Sequence, residues 1–237
     1  MSDLDGIELT ALADQFGSDK GVAHPNGLNY MPLYAQYLAR HGFDRLQSLR
    51  ILEIGTNRGA SLRTWAEYFP NAFVYGLDIT RQYEVAELLA HPNIRTALAN
   101  QGDREALRSA FKNAFYLDEG DRFDLIIDDG SHEQSDQQIS LGYLFTHWLR
   151  AGGLYVVEDL ITGENWWNGS VYNRKGIVPT RNILQIMQQT GDLESPVMMT
   201  HESDFVRLNH NYCEYRLADR VIYQQHKPQI AFIGKKP

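Results

Sequence analysis

A chain of 237 residues, 43% hydrophobic and 22% charged, has the size and composition of one globular domain with a real core. Its formal net charge of −8 argues against a nucleic-acid backbone as the main partner, and no apolar run approaches the ~20 residues that a bilayer span needs. The acidic start, Met1 to Asp5, is unlike a secretory signal, and the lone Cys213 excludes an internal disulfide or a thiolate zinc site, so a soluble cytoplasmic protein is expected.

In chain order, apolar side chains recur at helical spacing over Leu9 to Phe16 and over Pro32 to Arg40. Between them Gly17 to Tyr30 is glycine-rich and polar and reads as a loop. Residues 1–45 are expected to form a helical N-terminal segment whose loop, with Ser18, Asp19 and Lys20, either covers the cofactor as a lid or is a simple solvated turn. Arg50 to Ile54 is a strand, Gly55 to Ala60 turns into a helix running to about Tyr68, and Phe73 to Asp78 is the next strand. A helix over Glu84 to Ala90, a strand over Ile94 to Ala99 and a helix over Arg104 to Ala114 follow. Phe123 to Ile127 is a strand, Ser140 to Leu149 a helix ended by Gly152 and Gly153, and Leu154 to Val157 another strand.

Residues 161–182, rich in Trp, Asn and Gly, read as an insertion over the site, in which Trp166 and Trp167 suit either sugar stacking or plain packing. Arg220 to Gln224 and Gln229 to Ile233 flank His226-Lys227-Pro228 as an antiparallel edge hairpin. Strands alternating with helices imply a parallel sheet covered on both faces. With no repeat and no linker, residues 1–237 are expected to form a single α/β domain.

The densest chemistry lies where two apolar runs each end in two acids. Leu125 to Ile127 delivers Asp128 and Asp129, and Leu154 to Val157 delivers Glu158 and Asp159, with His132 three residues beyond Asp129. Buried parallel strands that end this way bring carboxylates to the rim of a sheet, where ligands bind in open α/β folds. Four carboxylates in one small volume cannot all stay ionised without a cation or shifted pKa values, and a divalent metal is the simplest answer. Hard oxygen donors favour Mg²⁺ over zinc. Sequence alone does not orient Asp128 against Asp129, so either can be the ligand and the other a hydrogen-bonding or cofactor-contacting residue. Glu133 and Asp136 read as the solvated start of a helix, and the remaining histidines show no metal-ligand spacing.

A second site precedes the first. Glu53-Ile54-Gly55 closes a strand, and Gly59-Ala60-Ser61 opens a helix. The pattern Glu-x-Gly-x-x-x-Gly lacks the Gly-x-Gly-x-x-Gly spacing that seats a pyrophosphate. The acid ahead of the first glycine suits a cofactor bearing an amino group or a sulfonium. Asp78, closing the next strand 25 residues after Glu53, is placed to accept hydrogen bonds from a ribose diol.

With these features the sequence resembles class I S-adenosylmethionine-dependent methyltransferases. It further resembles the macrocin/mycinamicin-type metal-dependent sugar O-methyltransferases. That likeness rests on Gly17-Ser-Asp-Lys20, Gly59 to Trp65, Tyr68-Phe-Pro70, Gly76 to Ile79, Asp128-Asp-Gly-Ser-His132 and Gly153 to Asp159. It covers about Phe16 to Leu160, and beyond Leu160 it fades. The resemblance implies a Rossmann-like, seven-stranded, mostly parallel sheet with helices on both faces and the antiparallel C-terminal hairpin at one edge. It implies S-adenosylmethionine held by Glu53, Gly55, Ser61, Asp78, Gly102, Asp103 and Asp128, with Asp103 near the adenine. It also implies Mg²⁺ on Asp129, Glu158 and Asp159, with His132 as general base.

The expected partner is a small-molecule glycoside of natural-product biosynthesis, methylated on a sugar hydroxyl, with no nucleic acid and no membrane involved and with a homo-oligomer compatible with the likeness. A catechol-like diol would satisfy the same metal chemistry. A non-catalytic S-adenosylmethionine-binding subunit is the rival from another class, although a binder has no use for four carboxylates and a base. A nicotinamide oxidoreductase is disfavoured by the glycine spacing.

Overall fold

Apolar residues alternate between two faces along each central strand, and this alternation builds two cores around one sheet. The computed structural model describes residues 5–81, 88, 90–160, 178–190 and 230–235. In β1 (Arg50–Ile54), Leu52 and Ile54 face one core while Ile51 faces the other. In β4 (Phe123–Asp128), Ile126 joins the first core, and Leu125 and Ile127 the second. Both faces of these strands are dry, as parallel sheets require, so an unbroken apolar run replaces the polar-apolar alternation of a solvated sheet.

The second core is closed by α1 (Gly6–Phe16), α2 (Met31–Arg40) and α3 (Ala60–Tyr68). Asp5 caps α1 by accepting from the Ile7 amide at 2.7 Å, and Gly17 ends it with a left-handed φ of 75°. On the opposite face lie α4 (Arg104–Ser109), continued by a wider π-type turn over Ala110–Ala114, then α5 (Gln134–His147) and α6 (Thr180–Thr190). Ile183, Leu184 and Met187 of α6 bury the stripe expected of one helical face.

Among the described residues the sheet has six strands in the order β3-β2-β1-β4-β5-β6, where β2 is Phe73–Asp78, β3 Ile94–Leu98, β5 Leu149–Val157 and β6 Ala231–Gly234. All pairs are parallel except β5 with β6, in which Val157 opposes Ala231. The expected Rossmann-like plan with an antiparallel edge is therefore present, with six strands among the described residues where seven were expected. The remaining arm of the hairpin, 220–224, lies outside the described residues, as do most of the helix expected over 84–90 and residues 161–177 with Trp166 and Trp167.

Two boundaries differ from expectation. Helix α5 begins at Gln134, six residues ahead of the expected Ser140, because its first turns bury polar side chains that show no apolar period. Gln134 accepts from the Thr180 amide at 2.8 Å, and Gln138 donates to the Val178 carbonyl at 2.8 Å. Gly152 and Gly153 do not terminate this helix; they lie inside β5, and the helix ends at His147 with Trp148 as its C-cap. The Lys235 ammonium donates to the carbonyls of Phe145, Thr146 and Leu149 at 2.7, 3.2 and 2.7 Å, serving acceptors that the helix end leaves open.

Candidate functional site

Strand order reverses direction between β1 and β4, and the crevice beyond their C-terminal ends is where an open α/β sheet binds ligands. A cavity of about 900 Å³ opens there, lined among others by Gly55, Thr56, Ser61, Asp78, Gln101, Asp129, His132 and Asp159. Gly55 has φ 84°, and a Cβ on it would collide with the Asp129 carbonyl oxygen. The Asp129 amide in turn donates to the Ile54 carbonyl at 2.9 Å. The turn after β1 and the turn after β4 are thus locked backbone to backbone, which only glycine permits at position 55.

The glycine turn is pinned from the side by Asp78, whose Oδ2 accepts from the amides of Thr56 at 2.9 Å and Asn57 at 3.0 Å. Its Oδ1 accepts from the Thr80 amide at 3.1 Å, and the Asp78 side chain lines the cavity. Glu53 lies beneath the cavity floor, fully buried, and neither of its oxygens completes a hydrogen bond within the described structure. Burial raises its pKa to about 7, against the pull of Lys20.

Across the turn, one side-chain atom each from Asp129, His132 and Asp159 comes within 4.8 Å of the others, a group able to share one metal ion. His132 Nε2 lies 3.5 Å from Asp159 Oδ2. Burial first, then the Asp129 charge, raises Asp159 to about 6. Two carboxylates and an imidazole at the rim of a polar cavity fit a hard divalent cation bound mainly through oxygen, with the imidazole beside it.

Glu158 stands apart from that trio. Its side chain is completely buried, accepting a hydrogen bond from the Tyr34 hydroxyl on Oε1 and one from the Lys20 ammonium on Oε2 at 2.9 Å. Lys20 also donates to Asp129 Oδ2 and lies 3.7 Å from Glu53 Oε1. Burial pushes Lys20 down, but Asp129, Glu158 and Glu53 together hold it well above its ordinary value. One ammonium cannot neutralise three acids, and burial accordingly raises Glu158 well above the usual carboxylate range.

Three further expected residues sit elsewhere than the cavity wall. Asp128 is buried in a polar network, accepting from Gln101 Nε2 at 3.0 Å, the Ser140 hydroxyl at 2.5 Å and the Tyr155 hydroxyl at 3.3 Å. Burial raises it to about 6 despite those donors. Asp103 caps α4 by accepting from the amides of Glu105 and Ala106 at 2.9 and 3.1 Å, and Gly102 packs beside Asp136. Gln101, one residue earlier, is the member of that turn that lines the cavity. Glu133 is buried at the start of α5 instead of solvated, while Asp136 accepts from the Ser131 hydroxyl at 3.0 Å. Sequence reading placed Lys20 in a covering loop and passed over Tyr34; the available signal was four acids in search of a cation and one lysine in the loop ahead of a tyrosine-rich helix.

The fold and cleft together define a Rossmann-like α/β architecture of the methyltransferase type. The solved structure of the MycE methyltransferase of the mycinamycin biosynthetic pathway, in complex with Mg and SAH, matches with a TM-score of 0.64 at 26% identity, over 96% of this chain and 55% of that one. A second MycE structure, holding Mg, SAH and mycinamycin VI, matches with a TM-score of 0.63 at 28% identity, over 96% of this chain and 53% of that one. In sequence the chain resembles sugar O-methyltransferases of macrolide and polyketide glycosides. It is 38% identical over 148 residues to mycinamicin VI 2''-O-methyltransferase of Micromonospora griseorubida, covering 59% of this chain and 34% of that protein. It is 35% identical over 166 residues to the 8-demethyl-8-alpha-L-rhamnosyl tetracenomycin-C 2'-O-methyltransferase of Streptomyces olivaceus, covering 67% of this chain and 39% of that one. The chain thus spans little more than a third of the length of these relatives. No protein-family model matches it.

Proposed function

We propose that this chain is an S-adenosylmethionine- and Mg²⁺-dependent O-methyltransferase that methylates a sugar hydroxyl of a glycosylated natural product. The observation that carries the reading is the backbone lock between Gly55 and Asp129, which sets a cofactor-type glycine turn directly against the Asp129, His132 and Asp159 group. Relatives named as sugar O-methyltransferases, and the MycE complexes with Mg and SAH, support it.

When bound, the cofactor supplies an electrophilic methyl on sulfonium sulfur and the divalent ion makes a chelated hydroxyl more acidic. Asp129 and Asp159 would hold the cation, and Glu158 would add to the same negative site from below. Asp78, at the cavity wall, would hold the ribose side of the cofactor, and Glu53, buried beneath the floor, would offer negative charge toward its amino group. His132 accepts the hydroxyl proton, with Asp159 beside its Nε2 to steady the imidazolium that results. The protein's main work is alignment of acceptor oxygen and methyl carbon.

The acceptor on this reading is a glycoside carrying neighbouring hydroxyls; no described helix is long and apolar enough to cross a membrane. Titration of S-adenosylhomocysteine into EDTA-stripped protein, with and without Mg²⁺, followed by turnover assays on glycosides and catechols, tests the reading. Absence of S-adenosylhomocysteine binding in both conditions would remove it, and binding without Mg²⁺-dependent turnover of any acceptor would leave a cofactor-binding subunit.

A further inference from the structure

We propose that the Lys20 ammonium is a built-in counter-cation on the shared border of the metal and cofactor subsites, so that a divalent cation binds in competition with it. This rests on the reading above and assigns a residue that the reading leaves without a task. Lys20 is 1% exposed, yet it belongs to the loop between α1 and α2, far in sequence from every acid it touches. Its single Nζ reaches Asp129 Oδ2 and Glu158 Oε2 by hydrogen bonds and Glu53 Oε1 by an ion pair. Asp129 belongs to the group that could hold an ion, and Glu53 lies under the cofactor turn, so one charge borders both subsites.

The loop backbone fixes that position. The Lys20 carbonyl accepts from the Tyr30 amide at 3.0 Å, the Asp19 carbonyl from the Leu28 amide at 2.6 Å, and the Gly21 carbonyl from the Asn29 amide at 2.9 Å. A buried ammonium is costly to desolvate and persists only where carboxylates surround it. The same carboxylates repel one another in its absence, so Lys20 keeps the acid cluster assembled before a metal arrives. Once a divalent cation is near Asp129, the fixed ammonium repels it, which holds affinity below what the carboxylates alone would give.

The test is calorimetric titration of MgCl₂ into the EDTA-stripped full chain, with no cofactor present, for wild type, Lys20→Met and Tyr34→Phe. Lys20→Met should bind Mg²⁺ at least about tenfold more tightly than wild type. It should also melt lower in EDTA and gain more from Mg²⁺ than wild type does. Tyr34→Phe loosens Glu158 without changing charge and should stay within about threefold of wild type. Where Lys20→Met does not fold, Lys20→Gln, which keeps an amide donor toward the carboxylates, takes its place with the same expectation. Unchanged or weaker Mg²⁺ binding by the Lys20 variants overturns the role given to Lys20, as does absence of Mg²⁺ binding by all the proteins. Failure of wild type to bind S-adenosylhomocysteine in a parallel titration would instead overturn the methyltransferase reading.

Discussion

His132 Nε2 stands 3.5 Å from Asp159 Oδ2, and both residues hold left-handed backbone angles, φ 58° and 55°. Non-glycine residues seldom occupy that region, so both positions are conformations that the surrounding structure imposes. His132 follows β4 and Asp159 follows β5, so the sheet itself sets their separation.

His132→Gln should lower methyl transfer by about 10²–10⁴-fold, the usual worth of a positioned general base. S-adenosylhomocysteine affinity should stay near wild type if His132 acts as the proposed base, because it sits with Asp129 and Asp159 and not in the Gly55 turn. Comparison of kcat with the calorimetric Kd checks this; equal loss in both would point to a structural role for the imidazole.

Asp129→Ala and Asp159→Ala should each weaken Mg²⁺ binding by more than about tenfold, or about 1.4 kcal/mol. Glu158→Ala should also abolish turnover, but with an added fall in melting temperature, because it strips Lys20 and Tyr34 of their shared acceptor in the core. Thermal melts with EDTA and with Mg²⁺ separate the two patterns. A Glu158→Ala variant as stable as wild type would remove Glu158 from the structural account.

Glu53 gives the pH dependence. Its folded pKa, raised by burial to about 7, lies above the unfolded value near 4.5, so the folded state holds the proton more firmly. The stability it contributes is complete below about pH 4.5, falls as pH rises, and is lost above about pH 7, a change on the order of 3 kcal/mol. Glu53→Gln should flatten that part of the stability profile in urea melts. Affinity for an amino-bearing cofactor should run the other way and rise with pH through about 7, as the carboxylate ionises. A wild-type S-adenosylhomocysteine Kd constant from pH 5.5 to 8 would contradict the placement of Glu53 near the amino group.

Gly55→Ala should destabilise by more than about 1–2 kcal/mol, the cost of left-handed backbone for an L-residue, because the added Cβ also meets the Asp129 carbonyl. Mg²⁺ and S-adenosylhomocysteine binding should fall together in this one variant, since the two turns share the contact. Urea denaturation and both titrations check it; loss of one ligand alone would mean that the subsites are independent.

Much of this was legible because strand and turn chemistry is local. The apolar runs at Leu125 to Ile127 and Leu154 to Val157 mark buried parallel strands, and the acids that end them mark the rim. The start of α5 was not legible, because Gln134, Ser135, Gln137 and Gln138 are polar yet buried, and their partners, such as Thr180 and Val178, come from distant chain. Gly152 and Gly153 carry a helix-stop signal that the pairing of β5 overrides.

Element order, the parallel sheet and the gathering of Asp128, Asp129, Glu158 and Asp159 at the strand ends follow from the chain alone, since periodicity and strand ends depend on neighbouring residues. Tertiary structure alone decided which acid faces what. Asp128 turns into the Gln101, Ser140 and Tyr155 network, Asp129 turns to the cavity, and Glu158 meets Lys20 and Tyr34 from the N-terminal segment. Adjacent side chains on a strand point to opposite faces, and the partner waiting on each face is supplied by residues far away in sequence.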